Sequence, residues 1–106
     1  MGHITIACYR PRPGKAADLE QLMREHVPML RKESLTTDRE PIIMRAKDGT
    51  VVEVFEWTSH EATDAAHTNP AVLAMWERFG AACEYVKVSD LAEAHDQWAS
   101  FEPLRP

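Results

Sequence analysis

The chain opens on an alternating pattern. Ile4, Ile6 and Cys8 fall on one side, and His3, Thr5, Ala7 and Tyr9 on the other, which predicts a strand over 3–9. Arg10-Pro11-Arg12-Pro13-Gly14 stops it, because proline cannot donate to a ladder and glycine permits a turn. The period then becomes helical. Leu19, Leu22, Met23, His26, Val27 and Leu30 recur at intervals of three and four and form one apolar stripe. Pro28 lies within it and predicts a kink or a second helix start. Residues 35–41 form a polar linker. Ile42 to Ala46 and Val51 to Trp57 read as strands around Lys47-Asp48-Gly49-Thr50, a hairpin signal in which Asp-Gly suits a type I′ turn. Thr58 and Glu61 have the spacing of a capping box. Asn69-Pro70 marks another helix start, followed by an apolar face of Val72, Leu73, Trp76 and Phe79. Tyr85 to Val88 predicts a last strand. A tail over 89–106 carries Leu91, Trp98, Phe101 and Leu104 among charges.

This order predicts an α+β fold, a ferredoxin-like βαββαβ sandwich with an antiparallel sheet and helices on one face. Residues 1–106 form a single domain, and a chain of this length buries roughly 65% of its unfolded surface. The uncovered sheet face is too apolar to stay wet. A second copy would cover it, and the tail is expected to cross onto that partner.

Charge narrows the function classes. With 12 basic and 17 acidic residues, the chain offers no basic stripe for nucleic acid and no pull toward anionic lipid. No apolar run approaches the ~18 residues of a membrane span. The first residues lack the basic-then-apolar pattern of a secretory signal, so a cytoplasmic location is expected. Cys8 and Cys83 are widely spaced and read as buried small hydrophobes. No H-x-x-x-H or H-E-x-x-H pattern occurs, so no metal site is expected.

The candidate chemistry lies between Val51 and Trp76. Trp57 ends a strand and His67 follows ten residues later, a spacing that lets an indole and an imidazole share one cavity. His67 is a candidate base, because imidazole titrates near neutral pH. The bland alternative is a helix-end histidine satisfying carbonyls. Glu53 shares a strand face with Phe55 and Trp57 and is a candidate pocket acid or base. Its bland alternative is an ion pair, for instance with Arg45 across the hairpin. Trp57, Phe55 and Tyr9 are candidate walls for a flat apolar or aromatic molecule. His26, on the helical stripe, joins them if it meets Glu53 or His67 in space.

The element order, Val54-Phe55-Glu56-Trp57-Thr58-Ser59, Ala66-His67 with Asn69-Pro70, and Phe101-Glu102-Pro103 together resemble the dimeric α/β-barrel superfamily. Within it they are similar to the antibiotic-biosynthesis-monooxygenase-like group. The resemblance implies a homodimer, with two sheets pairing into a barrel and a sheet–helix cleft in each subunit. It also implies a range of activities: cofactor-free oxygenation of aromatic polyketides, haem degradation, or lactone isomerisation. Trp57 and His67 match the haem-degrading branch in type and spacing, but its first-strand Asn has no counterpart in Ile4 to Tyr9. The expectation is therefore a small-molecule enzyme without a cofactor, working by proton abstraction. A non-catalytic homodimeric binding or assembly module is the alternative, and haem binding a third reading.

Overall fold

The structure, a computed structural model, describes residues 2–105. Strand β1 (His3–Pro11) leads into helix α1 (Ala16–Lys32), then the β2 (Ile42–Arg45) and β3 (Val51–Trp57) hairpin. Helices α2 (His60–Ala66) and α3 (Pro70–Ala82) follow, and then β4 (Cys83–Val86). Two short 3-10 turns and a two-residue strand, β5 (Glu102–Pro103), complete the chain. The strands form one antiparallel sheet in the order β4-β1-β3-β2-β5. This α+β arrangement is compatible with a ferredoxin-like sandwich.

The register of β1 against β3 sets the two faces of the sheet. Thr5 lies opposite Phe55, Ala7 opposite Glu53, and Tyr9 opposite Val51. These residues face the helices. The stripe expected on α1 is the buried one, from Leu19 through His26 to Leu30. It packs with Phe55, Trp57, Val72, Met75 and Phe79 into the main core. Pro28 does not break α1. It lies on the exposed side of the helix, away from the buried stripe. Leu73, expected on the apolar face of α3, is exposed, and Met75 is buried instead.

Local chemistry adjusts several boundaries. β1 runs on through Pro11, paired to Cys83 on an outer strand where a missing donor is tolerated. β4 starts at Cys83, two residues before the predicted start, because α3 ends directly into it. The hairpin turn is not type I′. Gly49 has φ +93, Asp48 is not left-handed, and the Gly49 N–H reaches the Ala46 carbonyl at 3.0 Å. That is a type I turn followed by a left-handed glycine. The N-cap of α2 is Ser59, whose Oγ accepts from the Ala62 N–H at 3.1 Å. Thr58 is unavailable because its N–H and its hydroxyl both donate to the Leu35 carbonyl.

The tail lies on the open face of its own sheet. Leu91 is fully buried with Cys8, Ala46 and Val52, and Phe101 packs against them. Buried Glu93 accepts from the Lys47 N–H at 2.8 Å, and the Leu104 N–H donates to the Ile43 carbonyl. Only half the face is covered. Ile4, Ile6 and Ile42 remain exposed, and Trp98 projects into solvent. Among the described residues no helix is long and apolar enough to cross a membrane.

If the tail is an integral layer, Leu91→Ala costs about 2–4 kcal/mol, the range for emptying a buried leucine site. Urea unfolding measures it. A cost under about 1 kcal/mol would mean that the tail is only loosely laid on the sheet.

Candidate functional site

A cavity of about 380 Å³ opens between the helix face of the sheet and the helices. Thr5, Ala7 and Tyr9 of β1, Phe55 and Trp57 of β3, His26 of α1, Trp76 of α3 and Tyr85 of β4 line it, with His67 from the α2–α3 connection. The space exists because Thr5 and Ala7 are the small side chains on a face otherwise bearing aromatics. Its volume lies in the range of small-molecule sites. The other grooves, such as one of about 300 Å³ lined by Lys15, Asp18 and Arg78, carry exposed charges and no aromatic ring.

A buried polar chain stands behind the cavity wall. Glu53 has no exposed surface. Its Oε1 accepts from the Tyr9 hydroxyl at 2.8 Å and lies 2.9 Å from His26 Nδ1. His26 Nε2 lies 3.2 Å from the Trp76 indole nitrogen. An indole N–H can only donate, so His26 Nε2 accepts and its ring proton sits on Nδ1, directed at Glu53. Every donor in the chain is thereby oriented. Among the described residues Glu53 Oε2 has no hydrogen-bond partner. Burial, with the Glu53 carboxylate adding to it, holds the Tyr9 phenol well above the usual 10.0, so it stays a donor.

His67 satisfies a helix-end carbonyl, as its bland alternative has it, and its ring also lines the cavity. Its Nδ1 lies 2.6 Å from the Thr63 carbonyl, one of the acceptors left open at the end of α2. A carbonyl cannot donate, so Nδ1 carries the proton and Nε2 keeps a free lone pair. The ring meets Trp76 edge-on at 5.2 Å on the cavity wall. Asn69 caps α3 through the Ala71 and Val72 N–H groups, which fixes the bend that presents His67.

Of the six residues expected at the site, Tyr9, His26, Phe55, Trp57 and His67 line the cavity. Glu53 does not. It sits one layer back and reaches the cavity only through Tyr9 and His26. The Arg45 pairing considered for it does not form, because Arg45 bonds Glu20 and Glu102. The contact between His26 and Glu53 was the condition for counting His26, and it is met. Trp76 was read only as a core position. Its half-buried ring donates its N–H to His26, a partner that no local pattern in the sequence points to. Trp57 donates its own N–H to Thr5 at 3.0 Å.

Both thiols are buried, and burial raises both above the usual range, Cys83 to about 11. Among the described residues no three His, Cys, Asp or Glu side chains group as a metal site. No family model, curated protein or solved structure matches the chain.

Removing one donor from a buried acceptor costs about 1–3 kcal/mol, so Tyr9→Phe destabilises by that amount in urea. The raised phenol also sets a sign. Its contribution is fully present below about pH 10 and is lost as pH rises through the folded-state value. Tyr9→Phe therefore loses less stability above pH 10 than the parent. A cost under about 0.5 kcal/mol would contradict the Tyr9–Glu53 bond, and an unchanged alkaline slope would contradict the burial that raises the phenol.

Proposed function

We propose that the protein binds a flat, largely apolar molecule in this cavity and abstracts a proton from it without a cofactor. The observation that carries this reading is one imidazole nitrogen, His67 Nε2, with no hydrogen-bond partner among the described residues, at the rim of a cavity lined mostly by aromatic rings. The His67 ring is exposed there, so an entering molecule displaces solvent from it and meets the free nitrogen. The resemblance to cofactor-free monooxygenases supports the same reading. In such a reaction the carbanion formed would meet dioxygen directly. Trp57, Phe55 and Tyr9 would hold the ring.

The test is deuterium exchange into 2-tetralone, a flat ketone with an activated C–H, followed in D2O. The expected acceleration over buffer is roughly 10²–10⁴, the usual yield of a positioned base. His67→Ala and the cavity-filling Ala7→Leu should both abolish it. Binding without exchange would leave a ligand carrier, and absence of binding would remove the cavity reading altogether.

A homodimer is the second part of the proposal. Ile6 lies opposite Val54, and Val54 opposite Ile42, so one apolar row crosses three strands of the open face. Ile4 extends it, and all three isoleucines are more than half exposed. A second copy laid sheet to sheet covers this row and pairs the two sheets into a barrel. Ile6→Lys is expected to weaken the dimer about thirtyfold or more, the weight of one central anchor. Sedimentation reads this directly, and a parent protein that stays monomeric would refute the pairing.

A further inference from the structure

The buried polar chain contains one link unlike the others. Tyr9–Glu53 and Glu53–His26 are short, at 2.8 and 2.9 Å, and both lie in the buried interior. His26–Trp76 is longer, at 3.2 Å, and its donor belongs to a half-buried residue on the cavity wall. Hydrogen bonds involving a carboxylate are shorter and about twice as strong as neutral ones. The chain therefore has a fixed end, anchored in the sheet, and an exchangeable end facing the cavity. The fixed end also sets the chemistry of the exchangeable one. With Nδ1–H directed at Glu53, Nε2 presents a lone pair, and only a donor can sit there.

We propose that the Trp76 indole N–H is an internal stand-in for a ligand hydroxyl, and that His26 is the hydroxyl-recognising base of the cavity. A planar molecule bearing a hydroxyl enters, and its O–H replaces the indole on His26 Nε2. One hydrogen bond is exchanged for another, so the swap is nearly neutral for His26. Half-buried Trp76 turns its N–H toward solvent. When the proton transfers, the ligand O–H bond breaks, the N–H bond forms at Nε2, and the electron pair remains on the ligand oxygen. The imidazolium keeps its other N–H on Glu53. Glu53 and Tyr9 act here as positioning residues, since neither lines the place where the oxygen sits.

The arrangement defines a substrate class. It admits phenols and enols. It gives the matching ethers and carboxylates no such bond, since neither carries a donor that can take the place of the indole on Nε2. Sites built to bond a hydroxyl discriminate strongly against analogues that lack it. This inference rests on the proposed cavity reading and deepens it: His26 takes the hydroxyl end of the molecule, and His67 the activated C–H.

The test compares 2-naphthol with 2-methoxynaphthalene by calorimetry, on the full chain and on Trp76→Phe. In the full chain the naphthol is expected to bind only about twofold to threefold tighter, because Trp76 keeps Nε2 answered while the ether is bound. Trp76→Phe keeps a ring in the wall and removes the competing donor. It should raise naphthol affinity about threefold to tenfold, the worth of one net hydrogen bond, and leave the ether within about twofold. His26→Phe should erase the preference. Should that variant not fold, Trp76→Phe still decides. Equal binding of the two ligands in Trp76→Phe, or a ratio no larger there than in the full chain, overturns the inference while the cavity reading stands. A preference lost in His67→Phe and kept in His26→Phe assigns the hydroxyl to the wrong imidazole and also overturns it. If neither ligand binds, the cavity reading fails and takes this inference with it.

Discussion

The interior is organised around one buried carboxyl group. Glu53 lies mid-strand in β3, between two neighbouring strands and beneath α1, with no exposed surface. A polar group there is costly unless it is bonded, and the cost rises with each partner removed. Its partners come from β1 through Tyr9 and from α1 through His26, and His26 in turn bonds Trp76 of α3. Three elements distant in sequence are thus oriented about one oxygen atom. Apolar packing holds the sheet and helices together, but it is non-directional and would accept several side-chain arrangements. The hydrogen-bond chain accepts one, and it also selects the histidine tautomer that faces the cavity.

The same constraint shapes the cavity. Tyr9 and His26 are pulled toward Glu53 and cannot collapse into the space beside Thr5 and Ala7. Phe55 stands edge-on to His26, and Trp57 tilts against Phe55, so the wall is a continuous set of rings. The second imidazole enters from a different structural cause, the capped bend between α2 and α3. A buried, oriented His26 and a rim-placed His67 with one free nitrogen are therefore chemically distinct, although both read as histidine in the chain.

Much of this was legible in the pattern of residues. The α1 stripe matches residue by residue, because a 3.6 period sustained over about three turns is hard to mimic. The order of the main elements along the chain followed from periodicity and turn residues, while the short β5 gave no strand pattern. Glu53 was placed on the cavity side because alternation fixes faces. What failed was mostly local. Thr58 looked like a cap, but Leu35 lies close enough to claim it. Asp48-Gly49 signalled a hairpin, but the turn type depends on a closing bond between Gly49 and Ala46 that no dipeptide encodes. The exchange of Arg45 for His26 as the partner of Glu53 is a tertiary fact: Glu20 and Glu102 are nearer to Arg45, and α1 crosses over Glu53. Trp76 was visible as an apolar position and invisible as a donor, since its partner is fifty residues away. The tail was readable as apolar and not as local, because its target, the cluster around Cys8 and Val52, forms only when the sheet does.

His26 holds its proton on Nδ1, toward Glu53, and accepts at Nε2 from Trp76. The direct measurement is nitrogen-resolved NMR of the His26 ring in the folded protein at neutral pH. The expected spectrum shows a protonated, slowly exchanging Nδ1 and a bare Nε2. A proton on Nε2 would break the chain at both Glu53 and Trp76 and leave no acceptor facing the cavity, contrary to the arrangement described.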